Sequence, residues 1–206
     1  MNTPIARRDL LEAARRLDVP LASIAALKDV ESRGQGFLPD GRPTLLYERH
    51  IMYRRLHLPK KAEDVPVHLQ QRAEALARTC PSLVNPKPGG YVGGAAEHER
   101  LARAREIDDE RALESASWGA FQVMGFHWSR LGYANVTAFV EAMQRSETDQ
   151  LEAFVRFIET DAALHRALKA QQWAAVAKRY NGPDYRRNQY DTKLQQAYER
   201  HRQADA

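Results

Sequence analysis

Glu31, Asp40 and Glu48 lie in succession around a glycine-rich break. A pair of carboxylates is the minimal equipment for acid–base cleavage of a glycosidic bond. One donates a proton to the leaving oxygen, and a second, about 5 to 9.5 Å away, serves the water or the anomeric carbon. Glu31 suits the first role. At 100° per residue it shares a helical stripe with Ile24 (i−7) and Leu27 (i−4), where a charged carboxylate is costly. It also stands at the C-terminal end of its helix, where the macrodipole disfavours negative charge. Both effects favour the protonated acid, and Lys28 (i−3) opposes them. An exposed helix-terminal glutamate beside a loop is the plainer alternative on geometry alone. Asp40 is either the second carboxylate or the turn residue of Asp40-Gly41. Glu48 is either the second carboxylate, an N-terminal helix residue, or an ion-pair partner of Arg42 or Arg49.

Other chemistries lack their residues. The seven histidines are scattered, and there is no His-Glu-x-x-His or Cys-x-x-Cys, so neither a metal nor a cofactor is expected. Gly89-Gly90 and Gly93-Gly94 lack the Gly-Lys-Ser/Thr ending of a phosphate loop. Cys80 is the sole cysteine, which excludes an intrachain disulfide.

The elements that must hold these residues are mostly helical. Leu10, Ala14 and Leu17 give a helix over 8–18, and Pro20 opens a second over 20–31. Gly34 and Gly36 end it. Residues 36–47, with Asp40-Gly41 between apolar flanks, read as a small β-hairpin, the one convincing β element. Further helices are expected over 48–57, 66–79, 95–113, 117–129, 135–145, 147–166, 171–180 and 184–202, with 82–94 as an ordered surface loop. Trp118, Phe121 and Trp128 are either core or stacking surfaces, and one of Ser115 and Ser117 is expected to cap the helix after them. With 206 residues, 43% apolar and 28% charged, the chain has the size and composition of one mainly α globular domain.

VESRGQGFLPDGRPTLLYERH at 30–50 resembles the opening motif of the phage-type N-acetylmuramidases: Val-Glu-Ser-x-Gly-x-Gly-Phe, then Asp-Gly-Arg-Pro, then Glu-Arg-His. Residues 91–128 are similar to that family's central segment, and YNGPDY at 180–185 resembles its Tyr-Asn-Gly motif. The blocks run in the family's order over nearly the whole chain. The family is itself similar in pattern to goose-type lysozymes and lytic transglycosylases. The resemblance implies a lysozyme-like helical domain with Glu31 as catalytic acid. It implies Ser117, Gly119 and Gln122 on one cleft wall, with Tyr180 and Asn181 on the other. Gln122 offers an amide for hydroxyl or N-acetyl groups, and Tyr180 a donor for Glu31 or a sugar. It also implies a single catalytic domain over 1–206, without the separate wall-binding module that many members carry.

On this reading the activity is hydrolysis of the β-1,4 bond after N-acetylmuramic acid in peptidoglycan. A lytic transglycosylase using the same glutamate is one alternative. The other is a non-catalytic helical module binding wall polymer or nucleic acid. The formal charge of +4 suits attraction to an anionic envelope without choosing a partner. The basic residues of the C-terminal third spread around helix faces, so no nucleic acid partner is expected. A monomer is the expectation. No apolar segment follows the basic N-terminal residues, so synthesis in the cytoplasm without a signal peptide, and action on the wall after release, are expected.

Overall fold

The computed structural model describes residues 4–31 and 35–204; the side chains of Glu31, Asn181, Pro183, Asp184 and Arg187 lie outside the described residues. The order is α1 (Arg7–Leu17), α2 (Leu21–Glu31), β1 (Leu45–Tyr47), α3 (Arg49–Leu56), α4 (Pro66–Thr79), α5 (Ala96–Ile107) and α6 (Asp109–Glu114). Then come β2 (Ala116–Trp118), β3 (Val123–Met124), α7 (Val136–Arg145), α8 (Glu147–Glu159), α9 (Ala162–Lys169), α10 (Trp173–Asn181) and α11 (Tyr190–Ala204). The protein is mainly α with one small antiparallel sheet, as the composition implies.

Two compact units form, interleaved in sequence. The first takes Met1–Phe37, Gly119–Phe121 and Arg145–Ala206, and the second takes Leu38–Trp118 and Gln122–Gln144. In the first unit α2 is central. Ala22 to Leu27 are buried on every side, the mark of a core helix rather than a surface one, and α1 and α11 pack against it. Phe121 stacks on Phe154 with centroids 4.4 Å apart, and Tyr180 meets Phe154 and Phe157 edge-on at 5.5 Å. These offset and T-shaped geometries are the ones aromatic quadrupoles favour.

The second unit is built on the sheet, in the order β1-β2-β3. Leu45, Leu46 and Tyr47 pair with Trp118, Ser117 and Ala116, while Ser117 and Trp118 pair with Met124 and Val123. Leu45, Tyr47, Trp118 and Val123 are buried, so one face of the sheet is core.

Three expectations need correction in detail. Residues 117–129 are not a helix: Gly119 (φ +72°) and Gln122 (φ +48°) are left-handed, and the chain makes β2, a tight connection, β3 and a short 3-10 turn at Gly125–His127. Aromatic spacing that also fits a helix is satisfied here by cross-strand burial of Trp118. No helix therefore follows Ser115 or Ser117 to be capped. Ser115 Oγ donates back to Arg111 O at 2.6 Å, ending α6 instead. The expected hairpin at 36–47 is minimal: Phe37 and Pro43 are single bridge residues on either side of the turn, with Leu38 N donating to Arg42 O (2.7 Å) and Gly41 N to Leu38 O (2.9 Å). The strand after it pairs with the distant Ala116–Trp118.

Two expected long helices are broken by aspartates. Asp108 accepts from Arg111 N and starts α6, and Asp161 accepts from Ala163 N and Leu164 N and starts α9.

Candidate active site

In the first unit, α2 carries Glu31 as its last residue. Ile24 and Leu27, on the same stripe, are 0% and 2% exposed, so the face leading to Glu31 is core. The Glu31 side chain itself lies outside the described residues, as does that of Asn181, the last residue of α10. Tyr180 donates its hydroxyl to the carbonyl of Phe121, in the connection between β2 and β3. That connection is also gripped by α8: Gln150, 1% exposed, accepts from Ala120 N at 2.7 Å.

In the second unit, Ser117 and Gln122 come together. Ser117 Oγ donates to Gln122 Oε1 at 2.8 Å across the β2–β3 pair. The left-handed Gln122 backbone is uncommon for a residue with a side chain and costs on the order of 1 kcal/mol. The bond from Ser117 fixes which way its amide faces. Trp118 and Phe121 are core, at 2% and 0% exposed, and Trp128 donates Nε1 to Glu114 at 3.0 Å.

Asp40 is engaged by its own turn. Its Oδ1 accepts from Arg42 N at 3.0 Å, and its Oδ2 accepts from Arg42 Nε and Nη2 at 3.0 and 2.6 Å. The Arg42 side-chain hydrogen bond, with help from the backbone one, holds this exposed carboxyl below its usual range. Its charge is therefore compensated.

Glu48 precedes α3 but does not cap it. Its Oε2 instead accepts from the Tyr91 hydroxyl at 2.8 Å, and His50 Nδ1 lies 3.1 Å from the same oxygen. Burial, and then the bond to Glu48, push the Tyr91 phenol up to about 12, so it remains a proton donor at neutral pH. Burial pushes His50 below its usual value against the pull of Glu48, which favours the neutral ring.

Arg49 completes this local arrangement, donating to the carbonyls of Pro81, Lys87 and Pro88 at 2.9 to 3.2 Å. Gly90, at φ +77°, rests against its guanidinium, and a Cβ there would stand 3.1 Å from Nη1. The Glu-Arg-His triplet thus anchors the Pro/Gly-rich loop and positions Tyr91.

The sequence profile of the N-acetylmuramidase family matches residues 20–202. The chain belongs to the N-acetylmuramidase family. It is a peptidoglycan-degrading muramidase. It is also similar to the crystal structure of a Burkholderia AP3 phage endolysin, at 51% identity and a TM-score of 0.86, over 98% of this chain and 72% of that one. No curated protein matches the chain.

Within this muramidase, the side chains that secure the candidate residues were partly hidden in the sequence. His50 belongs to the Glu-Arg-His triplet and so was within view. Tyr91 meets Glu48 across 43 residues of chain, and no local pattern announces that pairing. Gln150 reads as one more polar residue on an amphipathic helix, although it is almost fully buried.

Proposed function

We propose that this muramidase hydrolyses the β-1,4 bond between N-acetylmuramic acid and N-acetylglucosamine, with Glu31 as general acid. The observation that carries the reading is the placement of Glu31 as the terminal residue of the buried helix α2. There the helix dipole and the apolar face both favour a carboxyl that still holds its proton. Glu31 protonates the leaving oxygen, and water attacks the anomeric carbon. Ser117, Gln122, Tyr180 and Asn181 bind the sugar, the Ser117–Gln122 bond presenting an oriented amide and Tyr180, whose proton goes to Phe121 O, serving as an acceptor rather than the expected donor. The chain passes between its two units at 37/38, 118/119, 121/122 and 144/145, which favours one catalytic domain over two independent modules. Its site of action is wall peptidoglycan, reached after release from the cytoplasm.

Glu48 is the better of the two candidates for the second carboxylate. Assisting water or stabilising an oxocarbenium ion requires uncompensated negative charge. Arg42 neutralises Asp40, whereas Glu48 meets a phenol and an imidazole whose charged form burial disfavours. Asp40→Asn, which preserves the turn, is expected to change muropeptide release by less than about threefold, and Glu48→Gln to lower it about 10- to 100-fold. Equal effects of the two substitutions would remove the distinction.

The decisive experiment is digestion of isolated peptidoglycan with mass analysis of the soluble muropeptides. Saturated reducing-end disaccharide peptides support hydrolysis. Anhydro ends, lighter by one water, would make the chain a lytic transglycosylase. Absence of products would favour a binding module.

A further inference from the structure

Among the described residues, the first turns of α8 make four side-chain hydrogen bonds to backbone groups distant in sequence. Glu147 accepts from Ile5 N through Oε2 at 3.1 Å and from Gly36 N through Oε1 at 2.9 Å. One turn on, Gln150 accepts from Ala120 N at 2.7 Å and donates Nε2 to Gly36 O at 3.2 Å. Gly36 thus gives both its polar groups to the same face of α8. The fit leaves no room for a side chain at either glycine it touches. A Cβ on Gly36 would collide with Gln150 Oε1 and stand 2.8 Å from Glu147 Cγ, and one on Gly119 would stand 2.5 Å from Gln150 Cδ. Gly36 lies five residues after Glu31, and Ala120 lies between Ser117 and Gln122. A buried amide joining these two points holds both close to one geometry, because either bond left unmade costs the full desolvation of its partner.

We propose that Gln150, supported by Glu147, is a positioning residue for the muramidase reaction: it fixes the backbone that follows the general acid and the connection that precedes Gln122. The inference rests on Glu31 being the acid. Glycosidic cleavage tolerates little displacement of that acid, and a 1 Å error made far from the chemistry costs about a hundredfold in rate.

The test compares the parent with Gln150→Met, Gln150→Glu and Glu31→Gln on a soluble peptidoglycan fragment, well below each thermal midpoint. Gln150→Met keeps the shape and removes the bonds to Ala120 N and Gly36 O; kcat is expected to fall about a hundredfold with KM little changed. Gln150→Glu is the discriminating variant. Protonated, its carboxyl accepts from Ala120 N and donates to Gly36 O, as the amide does. Ionised, it has no proton to donate, and it faces the carbonyl of Gly36 and the charge of Glu147 one turn away. Burial and Glu147 raise the pH at which that ionisation occurs. The ratio of Gln150→Glu to parent activity should therefore approach one at acid pH and fall as pH rises. A folded Gln150→Met with the parent's kcat, or a ratio for Gln150→Glu that is flat with pH, overturns the proposal while an inactive Glu31→Gln leaves the acid assignment standing. An active Glu31→Gln overturns both.

Discussion

Replacing Glu31 with Gln is expected to lower muropeptide release by about 10²- to 10⁴-fold, the range contributed by a positioned proton donor. Glutamine preserves the length and hydrogen-bonding shape of the side chain but has no acidic proton to give the leaving oxygen. The substitution therefore separates acid catalysis from substrate contact, and KM on a soluble fragment should change less than kcat. The fold should survive intact. Glu31 closes α2, and a negative charge at a helix C-terminus is unfavourable by about 0.3–1 kcal/mol, so the variant should unfold at the parent's temperature or slightly above it. Loss of activity together with unchanged or raised stability is the signature of a residue placed for chemistry against the preference of its helix. Retention of most lytic activity by Glu31→Gln would refute the assignment.

The features apparent from the sequence were local ones. Of the ten segments read as helices, all but 117–129 overlap α-helices of the structure; α3, α4 and α7 lie within two residues of expectation at either end. The end of α2 at Glu31 followed from the glycines after it, and the turn at Asp40-Gly41 from residue type alone. The misread segment was 117–129, and the reason is physical. Its strands are three and two residues long, too short to establish a period of two against helical spacing. They exist because Leu45–Tyr47, far away in the chain, supplies their partner. Gln122 compounds the difficulty, since a left-handed glutamine has no sequence signature. The candidate site divides in the same way. The carboxylates stood out by type and spacing, and the Ser-x-Gly-x-x-Gln pattern through the family resemblance. Their supports, Tyr91 for Glu48 and Gln150 for the glycines, are tertiary partners that only the folded chain brings into contact.

Replacing Glu97 with Ala is expected to cost about 3–5 kcal/mol of stability. Glu97 is 0% exposed, and its Oε1 accepts from Val92 N (2.7 Å) and Gly93 N (3.1 Å), and its Oε2 from Tyr47 N (3.1 Å) and Arg100 Nη1 (2.7 Å). Alanine would remove the acceptor of the buried Tyr47 amide and of the exposed loop amides of Val92 and Gly93, and would leave Arg100, 7% exposed, as a buried cation without its counter-ion. The effect reaches the candidate site, because Val92 and Gly93 follow Tyr91, the donor to Glu48. The pH dependence fixes the sign. Burial raises the Glu97 pKa, but the backbone donors from Val92, Gly93 and Tyr47, with Arg100, outweigh it and the net shift is downward from 4.5. A carboxylate with a depressed folded pKa adds stability that is fully present above its unfolded value and is lost as pH falls through the folded one. Glu114, 1% exposed and bonded by Arg111, Arg55 and Trp128, is depressed for the same reason and adds to the acid limb. Urea unfolding of the parent should therefore show a plateau above about pH 5 and a decline below it. Glu97→Ala should start lower on the plateau and decline less steeply, because the proton-linked contribution of this carboxylate is already gone. Parallel curves for the two proteins would mean that the charge of Glu97 contributes nothing to holding the loop that carries Tyr91.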